Sequence, residues 1–231
     1  MDYKKLFHKE EAFQRETFQK RMEEFGFKNM ARMELFLWDL ELFLHIQKIL
    51  GDKIILKGGA ATQFYLPRDA QRTSVDIDML FFGTEEEIKK TLRKIEEYLG
   101  TEDELFYFHK HSPKNPKTNL PLHTYYTKVP SVLSNAERNM ERESIPYQEL
   151  KIEFILQPEK WEYERRTGEN IFAVNSSWNY QILPLNYLFA DKLTTLGCNT
   201  IGVQNERLDE QVKQFYDCLL YTSPSPRDRQ K

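Results

Sequence analysis

The segment from residue 54 to residue 82 constrains the fold of this 231-residue chain more than any other, because two short apolar runs are separated there by glycines. Residues 54–56 are aliphatic, and the pair Gly58-Gly59 follows them closely. Residues 60–65 then have helical rather than strand character. A strand, a tight turn and a helix start are therefore predicted in that order. Backbone N–H groups at such a turn can approach a phosphate closely, since glycine has no side chain in the way.

Two aspartates stand two positions apart in the second apolar run, at Asp76 and Asp78. In a strand, the period of two places both on one face and sends Val75, Ile77 and Met79 to the other. Neighbouring carboxylates repel each other and are costly to bury, and a divalent cation compensates for this. Hard oxygen ligands suit Mg²⁺ or Mn²⁺. We therefore predict a metal site formed by Asp76 and Asp78 near the glycine turn, which indicates nucleotide chemistry.

The order Lys57-Gly58-Gly59, then Arg72 and Ser74 before the aspartate pair, resembles the AbiEii/AbiGii nucleotidyltransferase toxin family. This family lies within the DNA polymerase beta-like nucleotidyltransferase superfamily. The resemblance implies that these five residues bind the nucleotide and that the two aspartates are catalytic and hold the metal. Superfamily members often have Gly-Ser at the turn, so the serine contact to phosphate is absent here.

The resemblance covers residues 33–217 and includes downstream blocks. Residues 151–155 are predicted as a strand, in which the resemblance makes Glu153 a third, catalytic metal ligand. From the residues alone, Glu153 is more simply a solvated strand residue. In the C-terminal helical motifs the resemblance implies that Lys192 is catalytic and contacts the triphosphate, and that Asp217 completes the nucleotide site. Their plainer interpretation is as exposed helical charges.

The composition is that of an ordinary globular protein, with 40% hydrophobic and 30% charged residues. A net charge of −3 excludes a chain that binds nucleic acid by its overall charge. No Gly-x-x-x-x-Gly-Lys-Ser/Thr loop occurs, which excludes a P-loop NTPase. The start of the chain has no secretory pattern, and no apolar run reaches membrane-spanning length. We therefore expect a cytoplasmic protein without membrane contact.

These patterns predict an α/β fold, with a small mixed twisted sheet of the polymerase beta-like nucleotidyltransferase type, flanking helices and a truncated C-terminal helical part. Residues 1–50 are expected as N-terminal helices packed on the core, 51–180 as the nucleotidyltransferase core and 181–217 as the helical part. Helices are predicted at 7–25, 30–50 and 85–99, further strands at 105–109, 122–129 and 150–157, and a loop between strands at 112–119.

Residues 218–231 are interpreted differently from the rest of the chain. The stretch 218–228 can be translated back into DNA that resembles a transposase-derived sequencing adapter, so we interpret this tail as an assembly artefact. A natural Ser/Pro-rich linker is the alternative. On the artefact interpretation, we expect the native chain to continue beyond Asp217 and the helical part to be truncated.

The resemblance implies metal-dependent transfer of a nucleotidyl group from an NTP to an acceptor hydroxyl, as the toxin of a bacterial toxin–antitoxin or phage-defence system. The expected partners are an NTP, an RNA (tRNA) or protein acceptor, and a cognate antitoxin. Two other classes stay open. An antibiotic-type, small-molecule nucleotidyltransferase would need an acidic pocket for a cationic acceptor. A non-catalytic nucleotide-binding module would share the fold, but the intact Asp-x-Asp pair argues against it.

Overall fold

A computed structural model describes residues 2–112, 121–134, 147–196, 212, 215 and 216. The α-helices within the first three of these ranges are Arg15–Phe25 (α1), Met30–Leu50 (α2), Gly58–Gln63 (α3), Glu85–Leu99 (α4) and Leu185–Thr195 (α5). The strands are Ile54–Lys57 (β1), Asp76–Phe81 (β2), His109–Lys110 (β3), Leu122–Pro130 (β4), Tyr147–Leu156 (β5), Glu164–Gly168 (β6) and Ser176–Ile182 (β7).

The strands form one seven-stranded sheet in the order β3-β4-β5-β2-β1-β7-β6. Strand β2 lies at its centre, antiparallel to β1 and parallel to β5. Strand β1 also pairs with β7 in parallel orientation. The sheet is therefore mixed, and helices flank it, which confirms the predicted fold class. The central position of β2 gives its aspartates neighbours on two sides.

The hydrophobic core joins helix α2 to the sheet. Every residue of α2 from Phe36 to Ile46 is buried, as expected for a helix that is apolar on nearly all sides. Ile77 and Met79 of β2 and Ile152 and Phe154 of β5 belong to the same core cluster and are fully buried. These residues alternate along their strands with the acidic residues. Burial of one face therefore fixes the acidic residues on the opposite face.

A buried glutamate of α2 fastens the N-terminal segment to the core. The Glu41 carboxylate accepts hydrogen bonds from the backbone N–H groups of Phe7 and His8, at 2.8 and 3.0 Å. It also contacts His8 Nδ1 at 2.6 Å and His45 Nε2 at 3.0 Å. Burial alone would raise the pKa of Glu41, but these hydrogen bonds outweigh it and lower the pKa to about 2.

Several predicted elements are confirmed. Helix α2 has the predicted bounds and ends at Gly51. Thr84 caps α4 in a capping box with Glu87, and the helix is followed by Gly100. Strands β2, β4 and β5 agree with the prediction within three residues at each end. These elements carry strong local signals, so their existence follows from short stretches of sequence.

Other predictions were wrong. The helix expected at 7–25 begins only at Arg15, because residues 10–13 form a separate 3₁₀ turn. The strand expected at 105–109 is reduced to β3, because Glu104 and Phe106 have positive φ angles of 63° and 54°, which strand geometry does not allow. Strands β6 and β7 were not predicted. Most of the loop predicted at 112–119 lies outside the described residues.

Candidate active site

Three acidic residues share one face of the two central strands. Asp78 of β2 lies directly opposite Glu153 of β5, and Asp76 lies opposite Lys151. Because side chains alternate along a strand, Asp76, Asp78, Lys151 and Glu153 project to the face opposite the buried Ile77. The structure thus brings together the three carboxylates that the sequence singled out, and it adds a lysine among them.

The carboxyls of Asp78 and Glu153 lie side by side, close enough to influence each other's ionisation. Burial raises the pKa of Asp78 to about 7, and the negative charges of Glu153 and Asp76 add to this while Lys57 opposes it. At neutral pH, Asp78 therefore stands near the midpoint of its titration. A carboxyl that is partly protonated in this way can exchange its proton for a bound cation.

Two further side chains hold Glu153. Lys151 Nζ lies 2.8 Å from Glu153 Oε1, and Thr124 of β4 donates a hydrogen bond to the same oxygen at 3.2 Å. Burial lowers the pKa of Lys151, but Glu153, Asp76 and Asp78 outweigh it, so the net shift is upward. Sequence reasoning placed Lys151 on the face of Glu153 without assigning it a role. It missed Thr124, because the register of β4 against β5 cannot be read from one strand.

The glycine turn lies against the carboxylates. Gly58 has a φ of 68°, and a Cβ atom there would overlap Oδ2 of Asp78. A Cβ atom on Gly59 would lie 3.1 Å from both Arg72 Nη2 and Ser74 Oγ. The first glycine therefore makes room for the acidic site, and the second makes room for the arginine and serine that precede β2.

Helix α3 braces this turn through two buried polar side chains. Thr62 Oγ1 donates a hydrogen bond to the Gly58 carbonyl oxygen at 2.9 Å. The Gln63 amide donates to the Gly59 carbonyl oxygen at 2.8 Å, and its oxygen accepts from the Arg72 backbone N–H at 2.8 Å. Gln63 thus ties the Arg72 segment to the turn. The sequence gave no signal for this, because a glutamine in a short helix has many possible partners.

The remaining predicted residues lie on β1 and in the C-terminal part. Lys57, opposite Asp78 in the pairing of β1 with β2, donates a hydrogen bond from Nζ to Asp191 Oδ1 of α5 at 2.7 Å. Lys192, the next residue of α5, is only 6% exposed. The predicted contact of Lys192 with a triphosphate stays a prediction. Asp217 lies outside the described residues.

Asp39 of α2 is a fourth acidic residue near the site and was not predicted. It is 1% exposed, and within the described part of the chain neither of its carboxyl oxygens has a hydrogen-bond partner. Burial raises the pKa of Asp39 well above its usual range, and the charges of Asp76 and Asp78 raise it further. The neutral acid is therefore favoured. Asp39 is one of several polar residues in a largely apolar helix, and the sequence gives no clue that distinguishes it from the others.

The donor set can be tested for its fit to a metal ion. Among the residues that the structure describes, no three His, Cys, Asp or Glu side chains are already arranged to hold one. Asp78 and Glu153 nevertheless offer hard oxygen atoms, and the raised pKa of Asp78 reflects its burial and, in addition, the nearby negative charges of Glu153 and Asp76, which a cation offsets. The chemistry of these two residues, with Asp76 beside them, therefore suits Mg²⁺ or Mn²⁺.

The part of the chain that the structure describes contains no helix both long and apolar enough to cross a membrane.

Comparison with known proteins gives one family and one similar structure among those found. None of the curated proteins compared with the chain matches it. The crystal structure of JHP933 from Helicobacter pylori is similar at 13% sequence identity with a TM-score of 0.45, covering 91% of this chain. This chain spans 66% of the length of that structure's chain.

The model of the nucleotidyl transferase AbiEii toxin family, described as a type IV toxin–antitoxin system, matches residues 42–230. That range contains the glycine turn, all three carboxylates and Lys192. The chain therefore belongs to the AbiEii nucleotidyl transferase toxin family.

Proposed function

We propose that this protein transfers a nucleotidyl group from an NTP to an acceptor hydroxyl and depends on Mg²⁺ or Mn²⁺ to do so. The observation that carries the proposal is the pair of Asp78 and Glu153, set side by side on β2 and β5 with Gly58 packed against Asp78. Family membership supports the same chemistry. A merely structural role would gain nothing from placing two partly buried carboxyls side by side.

In this proposal Asp76, Asp78 and Glu153 hold the metal ion. Bound there, such an ion would neutralise charge on the phosphates and on the departing pyrophosphate. Glu153, held by Lys151 and Thr124, takes the proton of the acceptor hydroxyl as its oxygen forms a bond to the α-phosphorus. The bond from that phosphorus to the oxygen bridging to the β-phosphate breaks, and pyrophosphate leaves.

Arg72 and Ser74, near the glycine turn, are proposed to contact the phosphates of the NTP. The Arg72 guanidinium and the Ser74 hydroxyl lie against Gly59, beside the start of β2. Arginine forms paired hydrogen bonds with phosphate oxygens. Lys57, Lys192 and Asp217 are assigned to nucleotide binding by the resemblance alone.

We further propose that the protein acts in the bacterial cytoplasm as a toxin, in a toxin–antitoxin or phage-defence system. Its family is described as part of a type IV toxin–antitoxin system, which supports an antitoxin as partner. The acceptor is proposed to be an RNA, such as tRNA, or a protein.

Transfer of radiolabel from each α-labelled NTP to bulk tRNA or to protein, with and without Mg²⁺, tests the proposal. We expect Asp78→Asn to reduce transfer about a thousandfold, because it removes one ligand charge at the reacting phosphate. Asp103→Asn is the matched control, since Asp103 is exposed and its left-handed backbone conformation suits asparagine equally. Undiminished transfer by Asp78→Asn would refute the mechanism.

A further inference from the structure

A pocket of about 330 Å³ continues the acidic face of the sheet. Leu80 and Ile155 form part of its lining, and they lie opposite each other in the pairing of β2 with β5. Each follows an acidic residue by two positions, since Leu80 follows Asp78 and Ile155 follows Glu153. The floor of the pocket is therefore the next pair of side chains along the same face, about 7 Å from the carboxylate pair.

Aromatic side chains line this pocket. The rings of Trp161 and Tyr187 meet edge to face, with centroids 5.4 Å apart. Tyr187 is 38% exposed, so an aromatic ligand can reach it. Gln157 supplies a hydrogen-bond donor and an acceptor at the same pocket. An apolar floor, aromatic walls and a few polar groups are the usual composition of a site for a flat organic ring.

The pocket, the carboxylates and the glycine turn lie in order along β2. Arg72 and Ser74 precede the strand, Asp78 lies near its start, and Leu80 lies toward its end. An NTP has the same order of parts, because the ribose separates the base from the α-phosphate and the outer phosphates extend the other way. A nucleotide that lies along β2 with its α-phosphate at the carboxylates brings its base to this pocket.

We infer that the pocket lined by Trp161 and Tyr187 binds the nucleobase of the incoming NTP, an inference that rests on the proposed function. Its volume is at the lower end of the range for small-molecule sites, about 300–1,000 Å³, which suits a base with its ribose rather than a whole NTP. Lys57 is the only cation among the described lining residues, and it is paired with Asp191. A nucleic-acid acceptor needs more phosphate contacts than this.

Tryptophan fluorescence gives a direct test on an unaltered pocket. The chain has three tryptophans; Trp38 is buried, and Trp178 lies against Phe7 at the N-terminal segment. The Trp178→Phe variant removes the emission of the exposed Trp178. It keeps only the buried Trp38 and Trp161, of which Trp161 alone lines the pocket. We expect each NTP that binds with Mg²⁺ to quench its emission, and inorganic tripolyphosphate to compete with the NTP without quenching.

The second arm compares Trp161→Ala with Trp178→Ala as matched control. Loss of one base–aromatic stack should raise the Kd for the NTP roughly 5- to 100-fold, with the Kd for tripolyphosphate unchanged. Trp161→Phe should restore most of the affinity. Three results would overturn the inference while leaving the proposed function standing. The first is that Trp161→Ala weakens binding of the NTP and of tripolyphosphate equally. The others are that NTPs bind without changing Trp161 emission, or that tRNA quenches this emission and NTPs do not. Failure of every NTP to bind would overturn both.

Discussion

Glu41 and Asp78 are both acidic residues with strongly shifted pKa values, and the shifts run in opposite directions. Glu41, on α2, receives hydrogen bonds from two histidines and two backbone N–H groups, and its pKa is lowered to about 2. Asp78, on the acidic face of the sheet, faces another carboxyl, and its pKa is raised to about 7. Burial acts against ionisation at both and is the largest cause of the shift at Asp78, whereas at Glu41 the hydrogen-bond donors reverse its effect.

The difference separates a structural acid from a functional one. The chain itself supplies every donor that the Glu41 carboxylate needs, so this residue is complete without a ligand. Asp78 and Glu153 place two acids where one cation would satisfy both, with Lys151 compensating only in part. An acidic residue whose nearest partner is a second acid is therefore the better candidate for chemistry.

The largest effect on stability is expected from Glu41→Gln. We expect the free energy of unfolding to fall by about 3 kcal/mol at pH 7, because a fully buried carboxylate surrounded by N–H donors is replaced by an amide. The pKa of Glu41 is lowered, so its contribution is present above the ordinary value of 4.5 and is lost as the pH falls toward 2. Urea unfolding at pH 7 and pH 3 measures this.

Glu23→Gln, at an exposed position of α1, is the control for Glu41→Gln and should change stability little. The difference in unfolding free energy between Glu41→Gln and the wild type should be smaller at pH 3 than at pH 7. A gap of the same size at both pH values would show that packing, and not the charge of Glu41, fastens the N-terminal segment.

A smaller effect of opposite sign is expected from Asp78→Asn without divalent ions. The folded-state pKa of about 7 exceeds the ordinary value of 3.8, so the contribution of Asp78 is present at low pH and is lost as the pH rises through 7. Asparagine does not ionise, so the variant does not lose stability in this way as the pH rises. We expect Asp78→Asn to be more stable than the wild type by about 2 kcal/mol at pH 8.5, and we expect this difference to shrink as the pH falls from 7 toward 3.8. Thermal unfolding in EDTA measures the difference in stability. A variant less stable than the wild type at pH 8.5 would contradict the expected sign.

The smallest effect is expected from Thr124→Val, which removes the hydrogen bond to Glu153 at nearly constant volume. We expect a loss of about 1 kcal/mol or less in unfolding free energy and a few-fold loss of transfer, with a shifted pH–rate profile. Thr127→Val on the same strand is the matched control. The Thr127 hydroxyl is buried and has no hydrogen-bond partner within the described residues, so its removal should be neutral or stabilising. Equal effects of both variants on transfer would argue that Thr124 only fills space.

The sequence predicted those features that depend on short stretches. Alternation placed Asp76 and Asp78 on one face, and the capping box and glycine fixed the ends of α4. The resemblance then directed attention to Glu153. Each of these signals lies within about fifteen residues of chain, where periodicity and capping operate.

The rest depends on pairings between distant segments. Nothing local fixes the register that sets Asp78 opposite Glu153, brings Thr124 to the same carboxylate or joins Lys57 to Asp191. Strand β6 escaped prediction because its sequence, Glu-Arg-Arg-Thr-Gly, is polar and does not alternate; as an edge strand it has one partner only. Tertiary context overrides local propensity at such positions.

The placement of β2 between β1 and β5 also bears on how the protein is made. Strand β1 lies close to β2 in the sequence, but β5 must emerge from the ribosome long afterwards before Glu153 can take its place beside Asp78. The ion pair between Lys57 and Asp191 joins residues 134 positions apart and has to wait for α5, which is made after β5. Contacts of such long range form late in folding. A growing chain therefore carries Asp76 and Asp78 without their acidic neighbour until β5 has been made, and the acidic face is complete only after β5 has paired with β2.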